Sequence, residues 1–261
     1  MPDAPILVWI LLGAGGFIAG SLGGLLGIGG GIVLIPLLRF GLGLSPAMAA
    51  GTSIMAIFFT TLGGSYRHIK QGHLQIRSVI PVIAAGIFST VIFSYAFSWL
   101  ALRGNLLDAG MGLVFLLIAG RMLWEGVHPP RNGKPDSSGS RTVPGSISQK
   151  GAIGLAGGAL PGLLGIGTGG ILVPAFVFWL RTPVRVAVAA SLTCFCCNAC
   201  VSATFKAAQG YINWTIAPPL AAGTFFGAMF GAILNRRFSP HRIKLLFGLL
   251  FTIVALKLIL F

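Results

Sequence analysis

Four long stretches without a charged residue constrain the fold more than any other feature of the sequence. They cover residues 42–66, 78–102, 186–205 and 211–235. A helix needs about 20 apolar residues to cross a hydrocarbon core about 30 Å thick, and each stretch is that long. Only 8% of all residues are charged, whereas a soluble domain has about 25%. We therefore predict an all-α polytopic membrane protein.

The pattern of these stretches excludes two other classes. A transmembrane β-barrel would show segments of about 10 residues with alternating polarity, and these runs are continuously apolar. The net charge of +14 is spread between the runs, which argues against a nucleic-acid partner.

The two halves of the chain are copies of one unit. A shift of 138 residues places LLGIGGGIVLIP at 25–36 on LLGIGTGGILVP at 163–174, and the same shift pairs Ser53 with Ser191. Between the copies lies a stretch rich in Pro, Gly and Ser, which is typical of a flexible linker. We predict three parts: a first repeat at 1–127, a cytoplasmic linker at 128–146 and a second repeat at 147–261.

The distribution of Lys and Arg favours an inverted arrangement of the repeats. If each half makes four crossings, the basic residues divide 10 to 8 between the two sides. If the first segment of each half breaks at its glycines and turns back, the division is 14 to 4, as the positive-inside rule expects. The second scheme gives ten membrane segments, inverted repeats and both termini outside. Residues 31–41 and 169–180 are short for full crossings, so each either spans the membrane or is re-entrant. The number of membrane segments is therefore expected to be between eight and ten.

The glycine clusters are the strongest candidates for a binding site. Several glycines in an apolar run should interrupt the helix, and the restarting helix presents free N–H groups and a positive dipole end. Interrupted helices at matching places in two halves are typical of transporter binding sites. The alternative is close helix packing. The predicted substrate-binding positions here are Gly29, Gly30, Gly31, Gly167, Thr168 and Gly169.

Polar residues near the clusters extend the predicted site. The hydroxyls of Thr52, Ser53, Ser191 and Thr193 are expected either to donate to an anion or to bond back to their own helix. Asn198 is expected to be a ligand or to form an interhelical hydrogen bond. His68 and Lys206 occupy equivalent positions in the two halves. They either attract an anion into the pathway or are basic residues that snorkel to the interface.

Several function classes lack the residues that they require. The runs hold almost no carboxylate, which disfavours cation transport. No P-loop and no catalytic motif is present in the sequence, so we predict neither ATP-driven transport nor an enzyme. We also predict no cofactor and no metal site.

The motifs LLGIGGGIVLIPLL, SPAMAAGTSI, the QGH turn and GLLGIGTGGILVPAF together resemble the TauE/SafE family. The resemblance runs from about Gly13 to the C-terminus, although AASLT replaces AGTS in the second copy. It implies a multi-pass protein of the bacterial inner membrane that exports sulfite or organosulfonates.

We therefore expect a secondary transporter that exports a small sulfur-containing anion. The alternatives are a passive anion channel and a non-transporting assembly or sensor protein. The expected partners are a small anionic substrate and the lipid bilayer, and we also consider a proton as coupling ion and a homodimer.

Overall fold

Ten α-helices make up the part of the chain that the computed structural model describes, residues 6–127, 141–234 and 240–260. They are α1 Ile6–Leu26, α2 Gly31–Pro36, α3 Pro46–Lys70, α4 Ile80–Ala101, α5 Gly104–Val127, α6 Ile147–Leu164, α7 Gly169–Pro174, α8 Val184–Ala208, α9 Ala217–Leu234 and α10 Pro240–Leu260. A π-helical turn continues α2 at Leu37–Gly41 and α7 at Ala175–Trp179, and a 3-10 turn at Ile76–Val79 precedes α4. No strand occurs in these ranges.

The lengths of these helices fit a membrane protein. Five of them are long and apolar enough to cross a bilayer: Ile6–Leu26, Pro46–Lys70, Ile76–Ala101, Gly104–Trp124 and Val184–Ala208. Shorter apolar helices occur at Gly169–Trp179, Ala217–Ile233 and Phe251–Leu260. Large apolar side chains such as Leu117 (67% exposed) and Phe88 (63%) are on the outside, as expected for a surface that contacts a bilayer. The prediction of an all-α polytopic membrane protein is confirmed.

Each half packs its first helix against the fourth helix of the other half. On α1, side chains at Gly16, Gly20 and Gly24 would collide with the backbone of α9 at Leu220, Thr224 and Ala228. On α6, the equivalent Gly154, Gly158 and Gly162 meet the backbone of α4 at Val82, Gly86 and Thr90. Glycine at every fourth position lets two helices approach this closely. All six pairs agree with the offset of 138 residues.

The contacts also give the relative directions of the helices. In the pair α1 and α9, and in the pair α6 and α4, later residues of one helix contact later residues of the other. The two helices of each pair therefore run in the same direction. The equivalent helices α5 and α10 run in opposite directions, since Gly112 meets Ile259 and Gly248 meets Leu123.

The end of the predicted linker contacts the loop between α3 and α4. The N–H of Gln75 donates to the carbonyl of Arg141 at 2.8 Å, and the N–H of Val143 donates to Ser78 Oγ at 3.1 Å. Ser146 then caps the N-terminus of α6 in a capping box with Gln149. Residues 128–140 of the predicted linker lie outside the described residues.

Candidate functional site

Both glycine clusters interrupt their helices as the sequence predicts. Gly27, Gly29 and Gly30 have φ values of 73°, 81° and 74°, and Gly165 has φ 66°. This left-handed region is costly for residues with a Cβ atom, which explains why glycine stands at the ends of α1 and α6.

The two interruptions lie against each other in the centre of the molecule. A Cβ atom on Gly169 would collide with the carbonyl of Gly27, and one on Gly167 with the carbonyl of Ile28. A Cβ on Gly31 would lie 3.1 Å from the amide nitrogen of Gly167. The sequence alternatives were anion binding and close packing, and these contacts give Gly31, Gly167 and Gly169 a packing role.

Two equivalent serines hold the two interruptions together. Ser53 on α3 donates to the carbonyl of Gly165 at 3.1 Å, and to its own helix at Ala50 at 3.0 Å. Ser191 on α8 donates to the carbonyl of Gly27 at 3.2 Å. The last carbonyls of a helix lack intrahelical donors, so each serine satisfies a carbonyl at the helix end of the other half.

The other predicted hydroxyls differ in whether they have a partner. Thr52 Oγ1 accepts a hydrogen bond from the N–H of Asn213 at 3.0 Å. Thr193 donates to the carbonyl of Ala189 on its own helix at 2.8 Å. Thr168, fully buried within the second interruption, has no hydrogen-bond partner for its hydroxyl. A buried hydroxyl without a partner is costly and calls for an explanation, and a ligand at this position would provide one.

Asn198 lies away from the serines, against α4. It is buried with 1% exposure, and its Oδ1 atom has no hydrogen-bond partner. A Cβ at Gly86 would lie 2.7 Å from its amide group. Its amide is therefore packed between α8 and α4.

Lys206 is fully buried at the C-terminal end of α6. Its ammonium donates to the carbonyls of Pro161 and Gly162 at 3.0 and 2.9 Å and to Ser202 Oγ at 3.0 Å. It also lies 4.1 Å from the centre of the Phe97 ring. These three bonds use all donors of the ammonium group, so in this conformation Lys206 caps α6.

His68 occupies the position equivalent to Lys206 and is also buried. Its Nδ1 atom lies 3.3 Å from Nδ1 of His73. Its buried Nε2 atom has no hydrogen-bond partner among the described residues, and the ring lies near the backbone of Gly24, the residue equivalent to Gly162. The two pathway residues of the sequence analysis thus lie beside equivalent helix ends.

A cavity of about 330 Å³ reaches the second interruption, between the end of α1, the second half of α5 and α7 with its π-helical turn. Its lining includes Gly169 and Gly170 of α7, Arg121 and Trp124 of α5, and Phe178. The guanidinium of Arg121 lies 5.3 Å from the centre of the Phe178 ring. Arg121 is the charged residue of this lining.

The first two residues of α7, Gly169 and Gly170, line this cavity. The N–H groups of Ile171 and Leu172 are the first to bond within the helix, both to the carbonyl of Thr168. Gly169 and Gly170 therefore provide the first-turn N–H groups, which point away from the helix body. A cation and first-turn N–H groups are the kinds of group that anion sites in proteins use.

The described residues beside Gly30 line a much smaller cavity, although Ile28 of the first interruption also lines the larger one. The cavity beside Gly30 measures about 10 Å³ and is lined by apolar residues such as Leu26, Ile28 and Phe251. A larger groove of about 510 Å³ elsewhere is lined by apolar and aromatic side chains such as Met55, Phe59 and Trp214, so it lacks a charge for an anion.

Arg121 is absent from the predicted binding residues, because it was counted only among the basic residues that set the topology. The available clue was an arginine inside an otherwise apolar helix, in LLIAGRMLW. For metals, the described residues hold no group of three His, Cys, Asp or Glu side chains that could bind an ion.

Comparison with known proteins decides the family. A sequence profile described as "Sulfite exporter TauE/SafE" matches residues 12–258. The chain belongs to the TauE/SafE family. It is therefore a multi-pass membrane transporter, and the family resemblance seen in the motifs is confirmed.

Relatives of this TauE/SafE protein cover nearly its full length. The probable membrane transporter protein YunE of Bacillus subtilis is 28% identical over 96% of this chain and 97% of its own length. A probable membrane transporter protein of Xylella fastidiosa is 29% identical over 96% and 94%. The probable membrane transporter protein MJ0441 of Methanocaldococcus jannaschii is 26% identical over 94% and 93%. No solved structure matches the chain.

Proposed function

We propose that this protein is a secondary transporter that exports a small sulfur-containing anion, such as sulfite or an organosulfonate, across the bacterial inner membrane. The observation that carries the proposal is the cavity lined by Arg121 and by Gly169 and Gly170, the first two residues of α7. The description of the family profile supports the choice of substrate.

The cavity residues supply complementary interactions for such an anion. Arg121 offers a planar set of N–H donors that fits the oxygens of a sulfonate or sulfite. The amides of Gly169 and Gly170 add donors at the positive end of the helix that starts there. Hydrogen bonds to a charged group contribute about 1.5–3 kcal/mol each, so a few of them offset much of the lost hydration.

Helix directions and charge support an inverted repeat with the cavity open to the cytoplasm. The equivalent helices α5 and α10 are antiparallel, as inversion requires. Arg121 lies in the second half of α5, towards the side on which the sequence places 14 of the 18 basic residues. An exporter takes up its substrate from this side.

Close packing of the two interruptions supports a carrier over a channel. Gly167 and Gly169 lie against the carbonyls of Ile28 and Gly27, and the cavity of about 330 Å³ ends beside them at Gly169 and Gly170. A cavity that ends against packed backbone fits a transporter that is closed on one side.

A thermal-shift titration of the purified full-length protein tests the proposal. The ligands are sulfite, thiosulfate, sulfate, taurine, sulfoacetate and isethionate, and the variants are Arg121→Gln and Arg103→Gln. Arg103 is a matched control, because it directly precedes the N-terminus of α5 and also stacks on an aromatic ring, that of Trp99 at 4.5 Å.

We expect at least one anion to stabilise the wild type, by about 2.7 kcal/mol at a hundredfold excess over Kd. Arg121→Gln should weaken that binding about 10- to 150-fold, and Arg103→Gln should leave it within twofold. Equal affinity in Arg121→Gln and wild type, or no response to any anion, would reject the proposal.

A further inference from the structure

We propose that Arg39 forms a second anion site, at the opposite end of the molecule from Arg121, and that the carboxylate of Asp108 occupies it in the conformation described here. The inference deepens the proposed function and rests on it, since it assigns the place where the transported anion is released. The ligand class is the same small oxyanion.

Arg39 and Asp108 make a multidentate ion pair. Arg39 Nη2 donates to Asp108 Oδ2 at 2.8 Å, and Nε donates to Oδ2 at 3.1 Å and to Oδ1 at 3.3 Å. Nη1 donates to the carbonyl of Leu44 at 3.2 Å, which fixes the guanidinium plane. The side chain of Asp108 is 7% exposed and that of Arg39 is 25% exposed. A guanidinium held in this way presents two donors to any planar or tetrahedral oxyanion.

The internal repeat relates this pair to the cavity of Arg121. Arg39 corresponds to Val177, and Phe40 corresponds to Phe178, and both second-half residues line the cavity. Each phenylalanine also lies under a cation: Arg121 at 5.3 Å from Phe178, and Lys257 at 4.3 Å from Phe40. The first half therefore also has a cation over the equivalent phenylalanine, although the offset pairs Arg121 with Ile259 and not with Lys257.

The two sites lie far apart along one helix. Asp108 and Arg121 are 13 residues apart on α5, about 20 Å along its axis. The chain has four acidic residues, and Asp108 is an acid that lies inside a membrane helix next to a cation. An ionisable group in that position is costly unless it has a function or a partner.

Asp108 then acts as a tethered substitute for the substrate. While it holds Arg39, the second site is occupied and α5 is tied to the turn that continues α2. When the transporter opens on that side, the anion exchanges with the carboxylate at Arg39, and the return of Asp108 displaces the anion into solution. Arg39 is thus paired with one anion, either the carboxylate or the substrate, throughout the cycle.

Binding of small oxyanions to variants of the full-length protein tests this assignment. Asp108→Asn keeps the shape of the side chain and removes its charge, and Arg39→Gln/Asp108→Asn also removes the proposed site. Each variant is titrated with sulfite, sulfate or isethionate, and its melting temperature is measured at each anion concentration. We expect Asp108→Asn to bind at least one of these anions at least tenfold more tightly than the wild type, and the double variant to lose that gain.

A purely structural ion pair predicts a different result. In that case Asp108→Asn and the double variant would respond to every anion alike, which would overturn the proposal. Should Asp108→Asn fail to fold, Asp108→Ala leaves space beside the guanidinium, and folded protein should be recovered in sulfate but not in chloride at the same ionic strength. Equal recovery in both salts would also contradict the site.

The result separates this proposal from the proposed function. Combining Asp108→Asn with Arg121→Gln removes the first site and keeps Arg39. Anion binding that survives in this combination supports the Arg39 site even if the Arg121 site is wrong. Binding that disappears with Arg121→Gln alone, and does not change with Asp108→Asn, keeps the proposed function and rejects the Arg39 site.

Discussion

The hydroxyl of Ser191 donates to the carbonyl of Gly27 at 3.2 Å, across 164 residues of chain. The equivalent Ser53 donates to the carbonyl of Gly165 at 3.1 Å, across 112 residues. Each half of the molecule thus fixes the interrupted helix of the other, through a residue pair that the internal repeat relates by 138 positions. The contact joins the two halves where α7 begins to line the cavity.

Removal of these hydroxyls should lower stability. Ser191→Ala leaves a buried carbonyl without its donor, which costs about 1–3 kcal/mol and lowers Tm by roughly 2–4 °C per kcal/mol. Ser98→Ala is the control, because that hydroxyl bonds within its own helix at the exposed surface. A melting temperature of Ser191→Ala equal to that of Ser98→Ala would contradict the role.

Thr168 should show the reverse behaviour. Its buried hydroxyl has no partner, so Thr168→Val should leave the Tm of the ligand-free protein unchanged or raise it. If the anion uses this hydroxyl, affinity should fall about 10- to 150-fold. Thr193→Val, which removes a bond within α8, is the matched control. Calorimetric titration of both variants decides the question, and affinity within twofold of the wild type in Thr168→Val would remove it from the site.

The central glycines should tolerate no side chain. Gly169→Ala places a methyl group against the carbonyl of Gly27, and overpacking of this kind costs about 1–3 kcal/mol or more. Gly151→Ala is the control, since nothing lies within 4 Å of its Cβ position and alanine favours the helix. The fraction of monodisperse protein after detergent extraction should fall for Gly169→Ala alone. Similar yields for both would mean that the interruptions are more loosely packed than described.

Lys206 distinguishes a helix cap from a pathway residue. Lys206→Met removes the donor of three buried hydrogen bonds, so the Tm should fall while anion affinity in the folded fraction stays within twofold. Lys70→Met, at an exposed lysine over the Tyr66 ring, should change neither quantity. A tenfold loss of anion affinity at unchanged Tm would instead place Lys206 on the pathway.

The sequence predicted the features that depend on local chemistry. Apolar runs of the required length indicated the membrane helices, and clustered glycines indicated the interruptions, because Gly27 and Gly30 adopt left-handed backbone. The repeat also related Ser53 to Ser191. The acceptors of these serines could not be predicted, since the carbonyls lie more than 100 residues away. A role for Arg121 in binding could not be predicted. A single arginine near the end of a membrane helix looks the same in the sequence whether it only sets the topology or also binds a ligand.

The most direct test of the transport account is uptake of radiolabelled sulfite into inside-out membrane vesicles that contain the wild type, Arg121→Gln or Arg103→Gln. We predict saturable uptake by the wild type and by Arg103→Gln, and at least a tenfold lower rate at sub-saturating sulfite for Arg121→Gln at equal protein content. Uptake that rises linearly with concentration, or that is the same for Arg121→Gln and the wild type, would contradict an export site built on Arg121 and the second interruption.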